Sequence, residues 1–117
     1  MKFLVIDQDR GAMQRLGLAC LDRGAGILIA ENVSEGVRAL LREGVSLIAV
    51  DAALLRLTPR EHLTLFERVA PGVPVVVVVR PGTPLESRVT FELAGFRVLT
   101  RPITAEDLLD KLELLKR

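Results

Sequence analysis

The sequence predicts an α/β fold, a three-layer sandwich with a five-stranded parallel sheet covered on both faces by five helices. Three observations predict it. Short apolar runs alternate with stretches of helical periodicity along the chain. Two of the runs, Phe3-Leu4-Val5-Ile6-Asp7 and Leu47-Ile48-Ala49-Val50-Asp51, stop on a carboxylate, the strand end at which open α/β sheets place their chemistry. A third run, Pro74-Val75-Val76-Val77-Val78-Val79, has no polar alternation, as befits a central strand buried on both faces.

Each element has its own signal. Residues 2–6 read as the first strand. A helix over 10–23 follows, with Asp9 as its N-cap and Met13, Leu16, Leu18, Ala19, Cys20 and Leu21 as its apolar stripe. Gly24 and Gly26 supply the C-cap and turn before the second strand, Ile27 to Ala30. Asn32-Val33-Ser34-Glu35 has the spacing of a capping box, with Val37, Leu40 and Leu41 as the inner face behind it and Gly44 as the stop. The third strand spans 46–50, and the loop Ala52 to Leu57 is unusually apolar. Thr58-Pro59-Arg60-Glu61 combines a Thr cap, a first-turn Pro and a Glu three residues on, and the helix it opens ends before Pro71-Gly72. Thr83-Pro84-Leu85-Glu86 repeats that arrangement for a short helix to about Leu93, stopped by Gly95. Phe96 to Leu99 has the mixed polarity of an edge strand. Thr104 to Asp107 caps the last helix, with Leu108, Leu109, Leu112 and Leu115 facing inward and Lys116-Arg117 at its C-terminal end.

Composition sets bounds. The 117 residues fit a single domain, 1–117, and half are apolar, enough for a sizeable core. With no Trp, no Tyr and four Phe, that core has to be aliphatic. A formal net charge of +1 argues against a direct nucleic-acid surface. All but three of the sixteen basic residues are Arg, so a local Arg cluster stays open. Cys20, the only cysteine, reads as a buried thiol, and one Cys makes neither a disulfide nor a Cys-based metal site. His62 has no partner at ligand spacing and reads as a surface histidine. The apolar start is too short for a secretion signal, and the longest apolar run, Val73 to Val79, is too short to cross a bilayer. A soluble cytoplasmic protein with no membrane partner is the expectation.

The layout resembles the CheY-like receiver domain of two-component response regulators over essentially the whole chain. The residues that carry the resemblance are Phe3 to Asp9, Asp51 at the end of the third strand, Val73-Pro74-Val75 opening the fourth, and Arg101-Pro102 after the fifth. The resemblance implies a flavodoxin-like sheet of order 2-1-3-4-5. It implies that Asp51 matches the phosphoacceptor and that Asp7 matches the first of an acidic pair that holds Mg²⁺. Gln8 stands where the second acid would be, and Asp9 comes one place later. Val79 stands at the family's hydroxyl position, Arg101 at its lysine and Val98 at its switch aromatic. The family's Pro and Gly after the phosphoacceptor are missing from Ala52 to Leu57. The family also implies a cis Arg101–Pro102 bond.

The residues carry a chemistry of their own. Asp7 and Asp51 could supply carboxylates to Mg²⁺, with Gln8 or Asp9 as a further oxygen donor, although Asp9 is also wanted as a cap. Arg101 is the other cation available, and a pair with Asp51 or Asp7 would compete with metal. Valine at 79 cannot hydrogen-bond a phosphoryl group. Arg56 and Arg80, in loops at the same sheet end, join Arg101 in a candidate anion site or read as solvated surface.

The first expectation is therefore a degenerate receiver, a pseudo-receiver acting as a protein-interaction module and not as an enzyme, with no cofactor. The second is a working phosphoacceptor that uses Asp51, Arg101 and Mg²⁺ to take and slowly lose a phosphoryl group within a phosphorelay. The expected partners are signalling proteins, a histidine kinase or an output protein. The family's usual output face, formed by the fourth helix, fifth strand and fifth helix, would present Leu85, Val89, Phe91 and Leu93 to a partner or to a second copy in a homodimer. Leu54, Leu55 and Leu57 form a second candidate surface. A nucleotide- or flavin-using enzyme is the weakest reading, because the loop after the first strand holds a single glycine, Gly11. Any DNA-binding or enzymatic output would lie elsewhere.

Overall fold

The computed structural model describes residues 1–116, with side chains through Glu113. Five strands, β1 (Lys2–Ile6), β2 (Gly26–Ala30), β3 (Leu47–Asp51), β4 (Val75–Val79) and β5 (Arg97–Thr100), alternate with five helices. These are α1 (Arg10–Asp22), α2 (Val33–Arg42), α3 (Pro59–Val69), α4 (Leu85–Ala94) and α5 (Ala105–Lys116). All strand pairs are parallel, in the order β2-β1-β3-β4-β5. The expected Leu115 contact and the Lys116-Arg117 tail lie outside the described side chains.

Two cores form because strand side chains alternate between the faces of the sheet. Phe3, Val5, Leu47, Ala49, Val76 and Val78 pack beneath α1 and α5, against Met13, Leu16, Cys20 and Leu108. Leu4, Ile6, Ile48, Val50, Val77 and Val79 face the other way, toward Leu40, Phe66 and Phe96. The four innermost residues of β1 and of β3 are buried, and all five of β4, so the middle strands tolerate no polar alternation.

The caps explain where the helices begin. Asp9 accepts the Ala12 N–H at 3.1 Å and starts α1. Asn32 accepts the Glu35 N–H, while Glu35 reaches back to the N–H of Glu31, one residue before the expected box partner. Thr58 and Glu61 form the full reciprocal box, and Thr104 and Asp107 do the same for α5. The arrangement at Thr83 does not cap. Pro84 occupies the N-cap position of α4, and the Thr83 hydroxyl donates to the Arg80 carbonyl at 2.6 Å, tightening the turn before the helix.

Helix faces differ from the expectation wherever leucines outnumber the core positions. In α1 the inward residues are Met13, Leu16, Gly17 and Cys20, a clean one-sided spacing, and Leu18, Ala19 and Leu21 point to solvent. In α2, Leu40 is buried but Leu41 is 72% exposed. Gly36 is a packing requirement, because a Cβ there would meet Ile6 Cδ1 at 2.6 Å. Gly95 ends α4 at φ +115°, the left-handed conformation that favours glycine. Cys20 is buried, and burial raises its thiol pKa. No described helix is long and apolar enough to cross a membrane.

Candidate functional site

The C-terminal ends of β1 and β3 are adjacent, with Ile6 opposite Val50 in the ladder. Asp7 and Asp51, the next residues, therefore enter one crevice. Asp7 is almost fully buried, at 3% exposure, and Asp51 is partly open. The main chain delivers Arg101 to the same place. Its N–H donates to the Val79 carbonyl at 2.9 Å, continuing the β4–β5 ladder, and its peptide bond to Pro102 is cis.

One nitrogen of Arg101 closes the crevice. Nη2 bonds Oδ2 of Asp7 and lies 3.0 Å from Oδ2 of Asp51. The remaining carboxylate oxygens are also engaged. Asp7 Oδ1 accepts the Asp9 N–H at 2.9 Å, and Asp51 Oδ1 accepts the Ala53 N–H at 3.0 Å. Each carboxylate thus makes a charge-assisted bond with one oxygen and fastens its own loop with the other. Burial disfavours the Arg101 charge, but the hydrogen bond and charge of Asp7, then those of Asp51, outweigh it and raise its pKa above the ordinary arginine value.

This arrangement does not fit Mg²⁺. A hard cation needs several free oxygen ligands in near-octahedral array. Here both facing oxygens are bound to a guanidinium, the Asp9 carboxylate caps α1, and Gln8 is exposed. Among the described residues, no group of three or more His, Cys, Asp or Glu side chains is placed to hold a metal ion.

Beside Asp51 lies a pocket of about 400 Å³, lined by Asp51, Ala52, Ala53, Val79, Arg80, Thr83 and Phe91. Val79 is buried and aliphatic, so the strand offers no hydroxyl there. Thr83, in the following turn, also lines the pocket, a placement the sequence reading missed, and its hydroxyl donates to the Arg80 carbonyl. Val98 is buried in the core below α4. Arg80 is exposed at the pocket rim, and Arg56 is exposed in the β3–α3 loop.

Three further placements bear on function. First, α4 has no fully buried residue, and Leu85, Val89 and Leu93 form an outward stripe one helical turn apart. Phe91 is not part of it. It turns inward and meets Phe96 edge-on, with ring centroids 6.1 Å apart. Second, Arg88 of α4 donates to the Thr100 hydroxyl at 2.8 Å, tying the helix to the residue before Arg101. Third, His62 is buried and not on the surface. Its Nε2 accepts the Leu57 N–H at 2.8 Å, its ring stacks on Phe66, and burial lowers its pKa against the raising effect of Glu61. The sequence held that signal: His62, Phe66 and Val69 share one helix face. Of the loop leucines, Leu54 is buried, Leu55 half-buried and Leu57 about half exposed.

No protein-family model matches the chain. The transcriptional regulatory protein GlrR of Escherichia coli K12 is 32% identical over 108 residues, 90% of this chain and 24% of GlrR. The chain spans about a quarter of the length of the curated relatives it matches. A CheY-like response regulator receiver domain protein from Methanospirillum hungatei superposes with a TM-score of 0.79 at 25% identity, over 98% of this chain and 93% of that one. A two-component response regulator from Clostridium difficile gives a TM-score of 0.82 at 22% identity, over 100% of this chain and 96% of that one.

Proposed function

We propose, from the premise that this chain belongs to the CheY-like receiver family of two-component response regulators, that residues 1–117 form one receiver unit with a degenerate phosphoacceptor site. In this reading the unit is a protein-interaction module. The observation that carries the reading is the single Arg101 nitrogen shared by Asp7 and Asp51. A fixed cation stands where an exchangeable one would be needed. Gln8 in place of an acid and Val79 in place of a hydroxyl remove further parts of the phosphoryl site. Asp51 and Arg101 then have a structural task, closing the β1 and β3 loops, and Asp7 and Asp9 act as loop and cap residues instead of metal ligands.

Partner recognition falls to α4. The stripe Leu85, Val89 and Leu93 is exposed, apolar and spaced for a flat helix-on-helix contact with a kinase or output protein.

A second reading keeps Asp51 as a working phosphoacceptor. The pocket beside it, lined in part by Thr83 and Arg80, supports that reading. Titration with Mg²⁺ and beryllofluoride, followed by amide NMR, separates the two. Under the first, resonances of Asp7, Asp51 and Arg101 stay in place at millimolar Mg²⁺. Saturable shifts at Asp51 and Thr83 would establish the second and remove the first.

A further inference from the structure

We propose that His62 is a proton-operated latch on the β3–α3 loop: at neutral pH the ring holds residues 55–57 against α3, and protonation in mild acid releases them while the sheet stays folded. The proposal does not depend on whether the Asp7, Asp51 and Arg101 crevice takes a metal or a phosphoryl group.

The loop has little else to hold it. Its first turn is fastened at the strand end, where Asp51 Oδ1 accepts the Ala53 N–H at 3.0 Å. The Leu55 N–H bonds back to the Ala52 carbonyl within that turn. Among the described residues, the one hydrogen bond that ties residues 55–57 to another element is the 2.8 Å bond from the Leu57 N–H to His62 Nε2. The helix does not need this bond. Thr58 and Glu61 close their own capping box, so α3 keeps its first turn when Leu57 lets go.

The bond also fixes the state of the ring. Nε2 accepts, so the neutral imidazole carries its proton on Nδ1. Nδ1 is buried and has no hydrogen-bond partner among the described residues. His62 is 2% exposed, and the Phe66 ring stacked 6.4 Å from it brings no nitrogen or oxygen. The niche therefore already holds one N–H donor without an acceptor.

A second proton has no place there. It would sit on Nε2 and face the Leu57 N–H, donor against donor. A buried imidazolium with no acceptor for either N–H is costly, and opening the loop gives both groups water instead. Among the described charged groups of α3, of the α2 and α4 helices packed beside it and of the loop, the Glu61 carboxylate alone acts on the ring. Its pull toward the charged form is smaller than the effect of burial. The closed loop thus favours the neutral ring and the open loop the charged one. Opening increases as pH falls below the ordinary histidine value. Release uncovers Leu55, which in the closed state packs on the core that contains Leu54 and Phe66.

Site-resolved amide exchange by NMR, on the full chain from neutral pH to about pH 5 and expressed as protection, tests this. Far-ultraviolet circular dichroism confirms that each variant is folded. Below the ordinary histidine value, protection of the Leu57 amide should fall by up to about tenfold per pH unit, the limit for one proton. It should vanish while Val50 and Val77 of the sheet are still protected. Leu57 protection equal to that of Val50 and Val77 at every pH makes the loss global unfolding and overturns the latch, as does Leu57 protection that ignores pH. At neutral pH the ring nitrogen spectrum should place the proton on Nδ1, and a proton on Nε2 overturns the proposal without reference to exchange. His62→Gln, which does not titrate, should remove the pH dependence of Leu57 protection, and a dependence that persists assigns the opening to another group. His62→Phe fills the niche without an acceptor and should leave Leu57 unprotected even at neutral pH. Protection retained in that variant overturns the role of Nε2.

Discussion

Nη2 of Arg101 lies 3.0 Å from Oδ2 of Asp51, and because the same nitrogen also bonds Asp7, one side chain after β5 fastens the ends of β1 and β3. The geometry has an energetic consequence. The buried Asp7 carboxylate is tolerable because it is paired and because its second oxygen accepts a main-chain N–H.

Removing the cation strands that charge. Arg101→Met should destabilise the fold by about 3 kcal/mol, the lower end of the cost of breaking a buried ion pair, because Arg101 keeps some contact with water. Urea unfolding at neutral pH measures it. Mg²⁺ should raise the melting temperature of this variant more than that of the wild type, since the two carboxylates then lack a cation. Equal stability of the two proteins would show that the crevice does not rely on the guanidinium.

His62 sets a pH dependence. Burial lowers its folded-state pKa below the unfolded value. Between those two values the unfolded chain binds the proton and the folded chain does not, so stability rises with pH there. The full His62 contribution is present above the unfolded value near 6.5 and is lost as pH falls from there through the lower folded-state value. Protonation also removes the acceptor for the Leu57 N–H. Stability curves between neutral and mildly acidic pH should show this limb, and His62→Gln should flatten it. An unchanged limb in that variant assigns the effect to other groups.

Gly36 limits how close α2 can come to β1. Gly36→Ala places a methyl group against Ile6 and should cost about 1–3 kcal/mol, the usual penalty of overpacking. The same change at the exposed Gly44, which has open space around it, should cost far less. Chemical denaturation of the two variants compares them directly.

On α4 the inward and outward residues should separate cleanly. Phe91→Ala removes the edge-on contact with Phe96 and should destabilise by about 2 kcal/mol, less than for a fully buried phenylalanine. Leu85→Lys and Leu93→Lys should stay within about 0.5 kcal/mol of wild type, as surface changes do. A large loss at Leu93 would mean that the stripe packs within the chain and is not free for a partner.

Much of the fold was legible because its signals are local. The apolar runs of β1, β3 and β4, the caps at Asp9, Asn32, Thr58 and Thr104, and the stop at Gly95 each lie within a few residues of the structure they dictate. The convergence of Asp7 and Asp51 follows from two strands ending alike. Helix faces were less legible. Leu18, Leu21 and Leu41 have core chemistry but sit outside the arc that faces the sheet, and composition alone does not exclude them. The burial of His62 was legible from the face it shares with Phe66 and Val69, but the bond from the Leu57 N–H also needs the β3–α3 loop to turn back over the start of α3. Thr83 sits where a cap is expected, yet its hydroxyl bonds the Arg80 carbonyl, because Pro84 takes the N-cap place. That Arg101 serves both carboxylates, and not one, depends on where β5 ends relative to β1 and β3, which only the assembled sheet fixes.

The bond from Arg88 to Thr100 leaves α4 in an unusual position. The helix has no fully buried residue and no side-chain cap, so its attachment to the sheet rests on the half-buried Phe91 and Ala94 and on this one polar strut. Its amide protons should exchange with solvent well ahead of those in β1, β3 and β4, through an opening that leaves the sheet folded. Because Thr100 is joined through the backbone to Arg101, a shift of the guanidinium would be felt first in the exchange rates of this helix.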